Sequence, residues 1–359
     1  MAFILASVIA TTEQLAGLLP RLRAAEWIAL DTEADSLHAY PAKLCLLQFS
    51  IPGADELVDP LADLDLAPLW ETLRGRELLL HGSDYDLRLL REHHSFIPHA
   101  VFDTMIAARL LGEPHFGLHA LVKKFLAIDL DKGPQKADWA QRPLTPRMED
   151  YARNDTRHLK ALSDLLRARL VELGRVEWMQ ECCERLIADC AVVPPADPDV
   201  WRVKGSSLLA RPALAVLKAI FEWREAQAIA SNRPPFFVLS PETMVQISAR
   251  ASMDQPWDEV LPRRFRPDRQ RTIRDAVARG RAVPEAQWPE IPRHRSPRQT
   301  EVQKRRAEQL EKCRDRQAVE LAIDATLIAP RAAINRLAED WDQYAPTLMR
   351  WQRTLLEKA

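Results

Sequence analysis

The sequence predicts an α/β domain built on a mixed, partly antiparallel sheet flanked by helices, followed by all-α modules. Three observations carry that expectation. Strand and helix signals alternate over residues 1–125, but the first strands follow one another with no helix between, as in an antiparallel meander rather than a doubly wound sheet. Beyond Gly117 helical periodicity takes over. Two proline-rich stretches, 191–200 and 282–297, then divide the 359 residues. The expected domains are 1–193, 208–285 and 300–357, with linkers at about 191–205 and 282–299.

Taken in order, a short strand over Phe3 to Ile9 precedes Thr11-x-x-Gln14, a capping-box pattern that opens a helix to about Arg23. The apolar run Trp27 to Leu30 ends in Asp31 and Glu33, and a second run covers Leu44 to Phe49. Glu56 to Val58 is the next strand, then a helix near Ala67 to Leu73 and the strand Glu77 to His81. Ser83 stands where it would cap a helix carrying Leu87 and Leu90 on one face. Ala100 to Phe102 and a helix from Asp103 to Leu111 complete the alternation. Residues 128–144 form a polar loop with no helical period. Thr145-Pro146 supplies an N-cap and a first-turn proline for a helix expected to run to Leu173, and another covers Glu177 to Val193. Because prolines follow at once, truncation after about Val193 is expected to leave a folded domain. Further helices are expected over 212–231, from Ser240-Pro241 onward, and over 268–279, 302–327 and 332–357.

Composition narrows the functional classes. A content of 47% hydrophobic and 28% charged residues is that of a globular protein. No apolar run approaches the roughly 18 residues that cross a bilayer, and the start has no basic leader, so no membrane role is expected. Five cysteines without a Cys-x-x-Cys pair argue for a reducing cytoplasm rather than disulfides or zinc. No Gly-x-Gly-x-x-Gly occurs and only ten glycines are present, so no nucleotide cofactor is expected. The net charge of −1 conceals an asymmetry: up to Pro198 there are 21 basic and 30 acidic residues, and beyond it 29 basic and 21 acidic. An acidic module beside a basic companion suits a polyanionic substrate, as it also suits solvated helix faces.

The acidic residues fall where elements meet. Asp31 and Glu33 project to one face of a strand, since strand side chains repeat every two residues. Like charges there disfavour each other's ionisation, a cost that a divalent cation removes; a turn after a strand would read the same way. Asp84 and Asp86 lie in the first turn of a helix, where an aspartate also simply complements the helix dipole. Tyr151 and Asp155, four apart, share one helical face.

In this joint order the chain resembles the exonucleases that carry four acidic residues and a tyrosine, the DEDD exonucleases of the tyrosine type, and among them most the ribonuclease D family. The resemblance rests on LDTE with LCLLQFS, on LHGSDYDL, on FDTMIAARLL, on LDK…ADWAQRPLT and on YARND, and covers about residues 1–190. It implies a ribonuclease H-like fold and 3′-to-5′ removal of nucleotides from RNA 3′ ends, transfer RNA precursors among them. It also implies two divalent cations, Mg²⁺ or Mn²⁺, held by Asp31, Glu33, Asp86 and Asp155, with Tyr151 as the fifth catalytic residue. Asp86 is preferred to Asp84 because an apolar residue follows it. Hard oxygen ligands suit those metals. Two ions roughly 3.5–4 Å apart need one shared carboxylate, here Asp31, while Tyr151 orients the attacking water. Upstream, Lys132, Lys136, Trp139 and Arg142 offer basic groups for phosphates and an aromatic for a base, although Trp139 could equally pack beneath the loop.

The segment LAVLKAIFEWREAQAIASNRPPFFVLSPETMVQISAR resembles the helical HRDC module, completed by LPRRFRPDRQRTIRDAVARG and placed at about 208–285. Trp223 shares a helical face with Leu217 and Ile220 and is expected in the core; the arginines of 263–281 are the candidates for phosphate contact. Residues 300–357 read as a second, divergent HRDC-like copy. Two alternatives stand beside the exoribonuclease: a 3′-to-5′ DNA exonuclease of the same fold, and a non-catalytic RNA-binding scaffold, against which the intact acids speak.

Overall fold

The computed structural model describes residues 8–131, 133–193, 202–263, 265–290 and 299–357. Its described residues fall into two compact units, one of 8–34, 44–193 and 299–357, the other of 35–43 and 202–290.

In the first unit five strands, β1 (Ile28–Ala34), β2 (Leu44–Ile51), β3 (Ala54–Val58), β4 (Glu77–Leu80) and β5 (Ala100–Asp103), lie in the order β3-β2-β1-β4-β5. β1, β2 and β3 form the expected antiparallel meander, and β4 and β5 add in parallel beside β1. All eight residues of β2 are buried, as its unbroken apolar run requires of a strand covered on both faces. The expected first strand lies largely outside the described residues; Ile9 makes one parallel bridge to Val58.

The helices are α1 (Thr12–Ala24), α2 (Ala67–Leu73), α3 (Asp84–His94), α4 (Thr104–Leu110), α5 (Leu118–Leu126), α6 (Pro146–Arg157), α7 (Leu159–Glu172) and α8 (Val176–Ala191). Thr11 and Gln14 close a reciprocal capping box at α1. Ser83 occupies the N-cap of α3, but its hydroxyl donates to Asp103 instead of capping. The long helix expected from Thr145 to Leu173 is two helices, because the chain leaves helical geometry at His158. Just before the break the hydroxyls of Thr156 and Ser50 meet at 2.8 Å, tying α6 to the sheet. Beyond it Leu159, Leu162, Leu166 and Leu170 face a different core. Alternation along the strands separates the two cores. Ile28, Leu30, Leu78 and Leu80 pack with α1, α2 and α3, whereas Ala29, Leu79 and Phe102 pack with α4, α5, α7 and α8.

The second unit holds α9 (Arg211–Ser231), α10 (Pro235–Val238), α11 (Pro241–Ser252) and α12 (Pro267–Arg281). Trp223 is buried and donates through Nε1 to Thr272 Oγ1 at 3.0 Å, a core role as expected. The β1–β2 loop belongs to this unit; Asp35 closes it by accepting from the Lys43 backbone at 2.7 Å, and the Tyr40 hydroxyl donates to Glu225.

The remaining helices, α13 (Glu301–Leu321), α14 (Ala325–Ile328), α15 (Arg331–Glu339), α16 (Trp341–Tyr344) and α17 (Arg350–Leu356), return to the first unit. Here the structure differs from a free-standing third domain. Ile328, Ile334, Leu337, Trp351 and Leu355 share one hydrophobic cluster with Leu110, Leu121, Leu162 and Met179. Trp351 stacks on Trp178 with ring centroids 4.7 Å apart and planes 15° apart. The Arg175 guanidinium donates to the carbonyls of Leu110 (2.5 Å) and Leu321 (2.6 Å). At Gly112, with φ of 79°, a Cβ would stand 1.9 Å from the Ala322 carbonyl oxygen, so only glycine admits that approach.

Candidate active site

The sheet brings the acids together by direction. Parallel strands β1 and β4 end on the same side, so Asp31 and Glu33 at the end of β1 meet Asp86, which follows β4 in the first turn of α3. Helix α6 packs against β2 and β1 and delivers Tyr151 and Asp155 from one face. All five side chains line one cavity of about 620 Å³, together with Thr32, His81, Tyr85, His119 and Gln135.

The carboxylates are poorly placed for charges of one sign. Burial, then the charges of Asp86, Asp155 and Glu33, push the Asp31 carboxyl well above its usual range. Burial, then the charges of Asp155 and Asp86, raise Glu33 to about 9, and burial first raises Asp155 to about 7. Asp86 is pushed up to about 6 by burial, opposed by the Thr32 hydroxyl that donates to its Oδ1. The donor set is all oxygen and four carboxylates share one space, which fits hard divalent cations. Among the described residues no three His, Cys, Asp or Glu side chains stand close enough together to hold a metal ion as they are placed here.

Asp84 is a separate case. It is exposed and takes both Nε and Nη2 of Arg88 at 3.0 Å, whereas Asp86 is buried in the cavity wall. Asp86→Asn is therefore expected to lower exonuclease turnover at least a hundredfold and Asp84→Asn less than tenfold, measured on one labelled RNA; the reverse order would reassign the third acid. Asp103, the aspartate of FDT, fixes the turn before Asp86: it accepts from the backbone of Gly82 (3.0 Å), Ser83 (2.8 Å) and Met105 (2.8 Å), and from the Ser83 hydroxyl (2.9 Å).

The 128–144 loop holds the tyrosine. Gly133 lies flat on the ring, since a Cβ there would be 1.6 Å from Tyr151 Cδ2. Burial, then the charge of Asp155, raises the pKa of the Tyr151 hydroxyl. Two residues expected to touch substrate do something else. Trp139 is 1% exposed and packs with Leu46, Leu57 and Met148, so its indole is a floor under Tyr151 rather than a platform for a base. Arg142 is spent on Asp59, at 2.5 and 2.6 Å, and on the carbonyls of Cys45 (2.7 Å) and Trp139 (2.8 Å), pinning the loop to the sheet. Lys132 lies outside the described residues. The residues that sequence reasoning passed over, His81, Tyr85 and His119, do line the cavity. The first two stand inside the HGSDYDL motif, where they carried a signal. Thr104 donates to the Leu80 carbonyl, so His81 Nδ1–H donates to Thr104 Oγ1 at 2.9 Å, and burial keeps this imidazole's pKa low.

Comparison with known proteins agrees with this fold. A family profile described as 3′-5′ exonuclease matches residues 6–171, and one described as HRDC domain matches 213–255. The chain is 35% identical over 246 residues to the ribonuclease D of Zymomonas mobilis, covering 67% of this chain and 63% of that one. It is 33% identical over 294 residues to that of Gluconacetobacter diazotrophicus, covering 79% and 74%. The Escherichia coli ribonuclease D structure, described as an exoribonuclease involved in structured RNA processing, superposes with a TM-score of 0.74 at 24% identity, over 94% of this chain and 91% of that one. With the fold, the motifs and these relatives in agreement, the chain belongs to the ribonuclease D family of 3′-5′ exoribonucleases.

Proposed function

We propose that Asp31, Glu33, Asp86 and Asp155 hold two divalent cations, Mg²⁺ or Mn²⁺, and that Tyr151 orients water for attack on the terminal phosphodiester of an RNA 3′ end. The observation that carries this reading is the gathering of all five side chains on one cavity. Bound there, the ions would supply an activated water and charge stabilisation for the leaving 3′ oxygen. Asp31 suits the shared position, because the charges of the other three acids all act on it. Tyr151, whose pKa burial raises, is proposed as a hydrogen-bonding group that need not act as a strong base. Transfer RNA precursors are the proposed natural substrates, supported by membership of the family. A cytoplasmic site of action is supported by five cysteines of which none forms a disulfide, and no described helix is long and apolar enough to cross a membrane.

The HRDC-like region is proposed to capture RNA. Arg263, Arg266, Arg271 and Arg279 are exposed on and beside α12. The 300–357 region is proposed as a divergent HRDC-like copy, supported by its order of elements. α13 matches the 21 residues of α9, each ends in a left-handed residue (Ala322, Asn232), and a four-residue helix follows each.

The test is a 5′-labelled RNA with a free or a blocked 3′ end, a circular RNA and a matched DNA. With Mg²⁺ or Mn²⁺ the free end should shorten to mononucleotides, the blocked RNA should survive and chelator should stop the reaction. Cuts in the circle would overturn the reading, and equal rates on DNA would favour a DNA exonuclease.

A further inference from the structure

Gln48 lies in the middle of β2, 0% exposed, and faces Asp31 across the β1–β2 register. Opposed residues of an antiparallel pair project to one face, so the amide and the acid share a side of the sheet. Two residues to either side on that face are Leu46, which packs with Tyr151 and Ala152, and Ser50, which meets Thr156. The amide therefore sits beneath the turn of α6 that carries Tyr151 and Asp155, beside Asp31. Neither its Nε2 nor its Oε1 has a hydrogen-bond partner among the described residues. Buried amides with both atoms unpaired are rare, because each atom has given up water and gained nothing. An apolar chain of the same length would fill this place at lower cost. That cost is accounted for if the amide serves the acids around it.

We propose that Gln48 is a positioning residue for the cation-binding carboxylates. With cations bound, its Nε2–H would donate to an oxygen of Asp31 or Asp155 and so set which of their oxygens stay free to ligate. Outer partners of this kind orient ligands and tune affinity without touching the ion. The inference rests on the metal reading above.

Gln48→Met and Gln48→Leu remove the donor and keep the bulk. Each full-length variant is to be titrated with Mn²⁺ by calorimetry and melted in chelator, beside the wild type. The expected result is Mn²⁺ affinity lower by about 10- to 100-fold, with a melting temperature in chelator equal to or above that of the wild type. Unchanged affinity in variants of a wild type that binds Mn²⁺ would overturn the role of Gln48 alone. A joint fall of affinity and melting temperature in both variants would overturn it too, by making the amide a packing residue. A wild type that binds no Mn²⁺ would remove the metal reading and this inference with it.

Discussion

Asp31→Asn is expected to lower exonuclease turnover at least a hundredfold, about 2.7 kcal/mol of barrier, while the protein stays folded. The substitution keeps the shape of the side chain but leaves a neutral amide at the centre of the acids, where Asp86, Asp155 and Glu33 all act on it. An amide cannot supply the charge that the proposed cations would share. The same change has a second, opposite signature in stability. The Asp31 carboxyl is raised above its ordinary value in the folded state, so protonation favours folding. That contribution is fully present below the unfolded value of about 3.9 and is lost as pH rises through the folded one. In chelator the wild type should therefore lose stability as pH rises, reinforced by Asp86 near 6, Asp155 near 7 and Glu33 near 9. Asp31→Asn should melt at the same or a higher temperature there and show a shallower pH dependence. A variant that retains more than a tenth of wild-type turnover, or whose melting temperature in chelator falls more steeply with pH than the wild type's, would remove Asp31 from the centre of the site.

What could be read from the sequence follows from where each residue stands. The acids were legible because each lies at an element boundary, so the order strand, junction and helix specified which faces would meet. The meander was legible because no helical period interrupts the first strands. Trp139 and Arg142 stayed open between substrate contact and packing because residue type gives charge and aromaticity but not direction. A basic residue upstream of a catalytic helix looks the same whether its partner is a phosphate or Asp59. Gln48 gave no signal of its own, since its meaning lies in the register that sets it against Asp31. The break at His158 left no mark either: Met148, Tyr151 and Ala152 before it and Leu159, Leu162 and Leu166 after it keep one helical spacing. The C-terminal helices show the same limit on a larger scale. Their amphipathic spacing announces an apolar face, but periodicity cannot say which surface covers it.

That last limit leads to the largest expected effect on stability. A chain ending at Val193 keeps every acid and the tyrosine, and the prolines that follow mark it as a natural place to stop. It is nevertheless expected to fold poorly. Without 299–357, the cluster around Leu110, Leu121, Leu162 and Met179 loses Ile328, Ile334, Leu337, Trp351, Leu355 and Leu356. Each such side chain contributes about 1.5–3 kcal/mol when fully buried, so the sum exceeds the whole stability of a typical domain, about 5–15 kcal/mol, at its lower end. Trp178 would lose its stacking partner, and the Arg175 guanidinium would keep Leu110 but lose the Leu321 carbonyl. The fragment should be insoluble, or should melt without a cooperative transition. The milder Trp351→Ala in the full chain should cost about 3–5 kcal/mol. For a unit of this size that lowers the melting temperature by roughly 6–20 °C. Its Mn²⁺ affinity at low temperature should stay near that of the wild type, because Trp351 does not line the cavity of the acids. A soluble 1–193 fragment that melts cooperatively at the wild-type temperature would show instead that the C-terminal helices rest on a core complete without them.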